Sequence, residues 1–189
     1  MQKLLLHVCC GPCSIAIFEE LSQEFDVTVC FCNSNIHPEK EYEKRKKEVV
    51  KLCEELNLPF VEDEYNPKEW FESTEEYKDE PEGGKRCPVC FEFRLEKSAK
   101  YASENGFDWL ASTLTSGRNK YANIINPIGL KCAEKYGINF FQEDWKKKGR
   151  QEKGIEICKI KDVYRQDYCG CVYSFSNCHP DRNERGTSE

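Results

Sequence analysis

No apolar run in the 189-residue chain approaches the roughly 18 residues that a membrane span needs. The N-terminus MQKLLLHVCC has too few apolar residues for an export signal and lacks a small-residue cleavage site. Both absences point to a cytoplasmic protein with no membrane partner. A positive excess is missing as well: the net charge of −6 argues against a surface that coats nucleic acid broadly. Two local basic stretches, KRKK (44–47) and WKKKGR (145–150), read first as solvated helix faces. There is no internal repeat. There is also no second Cys-x2-Cys pair at the spacing of about 15 to 20 residues that marks a zinc ribbon.

Apolar runs alternate with amphipathic stretches along the chain. KLLLHV (3–8), DVTVCFCNSN (26–35), LPFVED (58–63), FDWLASTLTS (107–116) and INFFQEDW (138–145) read as five strands. Helices are expected from Ser14 as a capping residue, after Pro38 in a first turn, from Cys87 to the Asn105-Gly106 stop, and over 126–137. The stretch 66–86 reads as a helix followed by a mobile loop. This alternation predicts an α/β domain with a mainly parallel sheet of about five strands flanked by helices. One domain spans residues 1–178, and a polar tail follows over 179–189. In such sheets ligands bind beyond the carboxyl ends of the strands, where Cys9 and Cys10 fall.

Cysteine is abundant, with 13 residues, and in a reducing compartment clustered thiols more often bind metal or carry out redox chemistry than form a disulfide scaffold. Three motifs stand out: Cys9-Cys10, Cys87-Pro-Val-Cys90 and Cys169-Gly-Cys171. Cys-x-x-Cys at a helix start brings two thiolates to one centre. Cys-x-Cys in extended chain points both sulfurs to one side, and Gly170 permits close approach. Adjacent cysteines diverge, so the pair serves two neighbouring centres better than one. Six thiols exceed the four that a zinc ion or a cubane cluster consumes. Iron–sulfur, structural zinc and thiol/disulfide chemistry all stay open on spacing alone. Cys30, Cys32, Cys53, Cys132 and Cys158 read as core packing. Cys13 shares the loop of the first pair and is a spare ligand, and Cys178 lies in a polar stretch.

Together LLHVCCGPCS, NSNIHPEKEYEKR, CPVCFEFRLEKSAKYASENGFDWLASTLTS and YRQDYCGCVYS closely resemble the epoxyqueuosine reductases of the QueH type, in order and over nearly the whole chain. The resemblance implies a HUP-like fold, related to the adenine-nucleotide α-hydrolases. It implies two-electron deoxygenation of epoxyqueuosine at the wobble position of tRNA, with a [4Fe-4S] cluster, an additional iron ion and an external one-electron donor. Carried over, the metal-binding cysteines are Cys9, Cys10, Cys87, Cys90, Cys169 and Cys171. An iron-sulfur-dependent tRNA sulfurtransferase and a non-catalytic zinc-binding module are the alternatives. The first needs ATP, yet after strand one the phosphate cradle is replaced by CCGPCS, where Pro12 lacks an N–H. ATP hydrolysis is therefore not expected.

His37, Tyr42 and Tyr164 are candidate proton donors near strand ends or the Cys-Gly-Cys motif. Arg165 is a candidate phosphate contact, and Asn33 and Asn35 are candidate readers of base or sugar edges.

Overall fold

Lys3–His7 (β1) carries Leu4, Leu5 and Leu6, all fully buried, as befits a strand covered on both faces. Burial of each leucine contributes about 2 kcal/mol. The computed structural model describes residues 1–174, so the tail expected over 179–189 and Cys178 lie outside the described residues. Asp26–Phe31 (β2), Phe60–Glu62 (β3), Trp109–Ser112 (β4) and Asn139–Phe140 (β5) join β1 in a five-stranded sheet of order β3-β2-β1-β4-β5. Every pairing is parallel, with Leu5 opposite Thr28 on one side and Leu110 on the other.

Side-chain alternation along β1 divides the core. Leu4, Leu6 and Val8 pack with Ile15, Phe18, Val49 and Leu52 on one face. Leu5 packs with Phe91, Leu95, Ala99, Leu110 and Ile125 on the other. The first face is covered by Ile15–Leu21 (α1), Glu39–Leu56 (α2) and Arg150–Ile160 (α6). The second is covered by Arg86–Glu104 (α4) and Ala122–Lys135 (α5), and Pro67–Thr74 (α3) packs on α4.

Several local expectations need correction. Ser14 precedes α1, but its hydroxyl donates to the Cys10 carbonyl at 2.7 Å instead of accepting from the helix. Pro38 precedes α2 and is not in its first turn. Helix α5 begins four residues before Asn126, because Tyr121 O accepts from the amides of Ile124 and Ile125 and Ile125 is buried; Pro127 sits inside it. The segment read as a mobile loop contains a 3₁₀ turn, Glu75–Tyr77, and buried Arg86 donates to the carbonyls of Tyr77, Lys78 and Glu80. Arg45, in the stretch read as a solvated face, is 2% exposed. Arg150 and Trp145 of the second basic stretch are also buried.

Candidate metal centre

The chain leaves β1 into residues 8–14 at the carboxyl edge of the sheet, where backbone and side-chain hydrogen bonds fix the loop. Val8 N–H donates to Cys30 O, Asn33 Nδ2 donates to Val8 O, and the amides of Ser14 and Ile15 donate to Gly11 O. The result contradicts the divergence expected of adjacent cysteines. The sulfurs of Cys9 and Cys10 lie 4.0 Å apart, and those of Cys9, Cys10 and Cys13 all fall within 4.8 Å of one another. A tight turn after Cys10 overrides the opposite-facing geometry that holds only in extended chain.

The other two motifs meet beside this loop. Cys87, Cys90 and Arg94 share a face of α4, and Cys169 and Cys171 come onto that face from the far end of the chain. All four thiols line one pocket with Asn35, Trp70, Arg86, Arg94 and Lys120. Gly170 adopts φ +108°, so the Cys-Gly-Cys segment is kinked and not extended as expected. The Cys171 amide donates to Cys169 Sγ at 3.4 Å. The guanidinium of Arg45 holds this kink, donating to the carbonyls of Tyr168 and Cys169 at 3.1 Å each while paired with Glu41 at 2.7 Å.

Electrostatics single out one thiol in each group. Hydrogen bonds from Cys10 and Cys13 hold Cys9 well below the ordinary thiol range, and Lys120 adds to the effect. Burial pushes Cys10 up. Contact with Cys10 lowers Cys13, but its contact with Cys9 and burial outweigh this, leaving it at about 11. A hydrogen bond from Cys171, assisted by Lys120, brings Cys169 down to about 6, while Cys171 is pushed up by Cys169 and by burial. Burial raises Cys87 and Cys90.

Lys120 connects the groups. Its Nζ lies 4.0 Å from Cys9 Sγ, and the negative field of Cys9, Cys13 and Cys169 outweighs burial to raise its pKa. It also lines a second, larger cavity of about 550 Å³ whose walls include Cys9, Cys13, Cys169, Arg118, Arg150 and Arg165. Sequence reasoning passed over Lys120 and Arg94. The available signals were a lysine just beyond strand four and an arginine one helical turn after Cys90.

The remaining candidates are distributed unevenly. Arg165 lines the large cavity. Asn35 lines the thiol pocket with a buried, unpartnered Oδ1. Asn33 is buried and accepts from Arg94 Nη2 at 2.5 Å. His37 lies outside both cavities, stacked on Phe71 at 4.8 Å, with its pKa lowered to about 4 by burial. Tyr42 donates to Glu62 at 2.7 Å within the core, and Tyr164 donates to Glu41 at 3.0 Å. The structure brings neither tyrosine into the thiol pocket. Cys30, Cys32, Cys53, Cys132 and Cys158 are buried in the two halves of the core.

Residues 4–177 match the family model described as epoxyqueuosine reductase QueH. Over 187 residues the chain is 43% identical to epoxyqueuosine reductase QueH of Histophilus somni (strain 129Pt), covering 98% of this chain and 77% of that relative. Identity to the Thermotoga maritima protein of the same description is 38%, over 92% of this chain and 91% of that one. Among solved structures, the U34-tRNA thiolase NcsA from Methanococcus maripaludis with its [4Fe-4S] cluster is similar at TM-score 0.56 and 13% identity. That match covers 98% of this chain and 67% of the other. A predicted tRNA methyltransferase subunit from Methanocaldococcus jannaschii gives 0.53 at 12% identity, over 98% of this chain and 89% of the other. These two likenesses are of fold, the HUP-like parallel sheet.

Proposed function

The chain belongs to the QueH family of epoxyqueuosine reductases, and from that membership we propose how its thiol-lined end serves the reaction. The enzyme is an oxidoreductase of queuosine biosynthesis: two electrons and two protons remove the epoxide oxygen of epoxyqueuosine in tRNA as water and leave a cyclopentene. The observation that supports a metal-dependent reading is that Cys9, Cys87, Cys90, Cys169 and Cys171 line the two cavities that Lys120 also lines, with Cys10 Sγ 4.0 Å from Cys9 Sγ.

The donor set fits an iron–sulfur cluster with an additional iron ion. The sulfurs are mostly buried, come from three separate segments, and outnumber the ligands of either centre alone. When bound, these centres supply single electrons and a Lewis-acidic position for a departing oxygen. The chain's own groups do the rest. The wobble nucleoside, splayed from its single-stranded loop, enters the large cavity, with Arg118 and Arg165 meeting its flanking phosphates. Lys120, which lines both cavities with its Nζ 4.0 Å from Cys9 Sγ, is the proton donor, in place of His37, Tyr42 and Tyr164, which line neither. Asn35 offers its unpartnered oxygen to the substrate, while Asn33 orients Arg94. Electrons reach the site from an external one-electron donor.

The test is anaerobic conversion of a tRNA carrying epoxyqueuosine by iron-loaded protein with dithionite. Queuosine formation is the expected product. A thiolated nucleoside, or a colourless protein that carries only zinc and converts nothing, overturns the reading.

A further inference from the structure

Four residues line both the large cavity and the thiol pocket: Glu82, Asn119, Lys120 and Cys169. Three of them suit a site built around thiols and a departing oxygen. Glu82 is the exception, because a carboxylate repels neighbouring thiolates and competes with phosphates for the arginines of the large cavity. Among the described residues it is the one carboxylate common to the two cavities. Asp167 lines the large cavity alone.

The turn that carries Glu82 is firmly tied. Gly84 N–H donates to Pro81 O at 3.1 Å, and Gly83 N–H donates to Cys87 Sγ at 3.2 Å. Gly83 adopts φ +86°, and a Cβ on Gly84 would lie 2.6 Å from Glu80 Oε2. Arg86, 1% exposed, gathers the carbonyls of Tyr77, Lys78 and Glu80 just before the turn. The Glu82 carboxylate itself accepts from Asn119 Nδ2 at 3.3 Å, a long bond that leaves it open to a stronger donor.

The substrate supplies such a donor. In epoxyqueuosine the base and the epoxide-bearing ring are joined through a methylene and a secondary amine, which is protonated near neutral pH. With the nucleoside in the large cavity and the epoxide at the thiols, this link crosses the boundary between the two spaces, where Glu82 stands. A carboxylate facing an ammonium forms a charge-assisted hydrogen bond, about twice as strong as a neutral one.

We propose that the Glu82 carboxylate, oriented by the Asn119 amide, binds the secondary ammonium of the substrate's side chain and so sets the epoxide against the thiol pocket. The assignment rests on the reductase reading. It also makes Glu82 a specificity determinant, since an unmodified guanosine offers no cation at that place.

The test measures binding of two anticodon stem-loops to iron-loaded, full-length protein by fluorescence anisotropy, without reductant. One carries an aminomethyl group on the deazaguanine at the wobble position, and the other a neutral cyano group of similar size. Wild type should bind the aminomethyl stem-loop about tenfold more tightly, the effect of one hydrogen bond to a charged group. Glu82→Gln keeps an acceptor for Asn119 and should bind both stem-loops alike, with the wild-type affinity for the cyano form and the wild-type iron content per chain. Glu82→Asp, which keeps the charge on a shorter arm, should retain part of the preference. A preference that survives in Glu82→Gln, or wild type that binds the two stem-loops equally, overturns the inference. Loss of iron from Glu82→Gln also overturns it, because the carboxylate would then serve the metal centre. Absence of queuosine in the turnover assay counts against the reductase reading, whereas these binding outcomes count against Glu82 alone.

Discussion

Cys9, Cys10 and Cys13 take their positions from one short loop at the end of a strand buried from Leu4 to His7, whereas Cys169 and Cys171 are held by Arg45, a residue 123 and 124 positions away from the carbonyls it binds. The first group is a local structure anchored by the sheet. The second is a kinked segment held by a buried guanidinium, by the His37 amide on Gly170 O at 2.8 Å, and by a glycine with φ +108°. The lesson is that a thiol site can join a preformed half to a half that exists only when distant helices are in place. Each half still contains one acidified thiol, Cys9 or Cys169, and both are influenced by the same cation, Lys120.

The contrast breaks most severely with Arg45→Ala. This substitution strips the Tyr168 and Cys169 carbonyls of the Arg45 donor and removes the cation paired with Glu41, which keeps its hydrogen bond from Tyr164, at a cost of about 3 kcal/mol. Urea denaturation should show the loss, and protein reconstituted with iron and sulfide should carry fewer irons per chain. An unchanged iron content would show that Arg45 does not shape the thiol site.

Gly170→Ala attacks the same half through the backbone. A Cβ there would lie 2.9 Å from Ile36 Cγ1 and 3.1 Å from Arg45 Nη1, in a conformation that side-chain-bearing residues disfavour. About 2 kcal/mol of stability should be lost. The accompanying iron deficit should be smaller than that of Arg45→Ala, as read by iron content per chain.

Ser14→Ala probes the preformed half. One buried hydrogen bond to Cys10 O disappears, for about 1 kcal/mol in denaturation, and the sheet should keep the loop in place with iron content per chain unchanged.

The smallest effect sharpens the shared electrostatics. In metal-free protein, alkylation of Cys169 should rise as the pH passes about 6 and level off above neutrality. Because its folded pKa lies below the ordinary thiol value of 9.0, the associated stability is present above that value and declines as pH falls toward about 6. Lys120→Met should move the alkylation midpoint upward. An unchanged midpoint would remove Lys120 as a cause.

Much of this was legible in the chain itself. The apolar runs that form β1, β2 and β4, alternating with amphipathic stretches, specify a parallel sheet, and the helical register of Phe91, Leu95, Ala99 and Ala102 marks the buried face of α4. Local spacing also selected the three cysteine motifs. It misjudged the relation between Cys9 and Cys10, because side-chain direction in a tight turn depends on backbone angles that residue type does not report. It treated Arg45 as solvated, since a basic run on a charged helix carries no mark of the carbonyls that will later cover one member.

The amino-acid sequence by itself therefore determined the alternating α/β order, the strand that ends in cysteines and the family to which the chain belongs. Tertiary structure alone decided which sulfurs become neighbours, that Lys120 stands between them, and that Arg45 shapes the last motif. The reason is that strand and helix periodicity act over a few residues, whereas a metal-binding geometry is a set of distances between segments separated by up to the length of the domain.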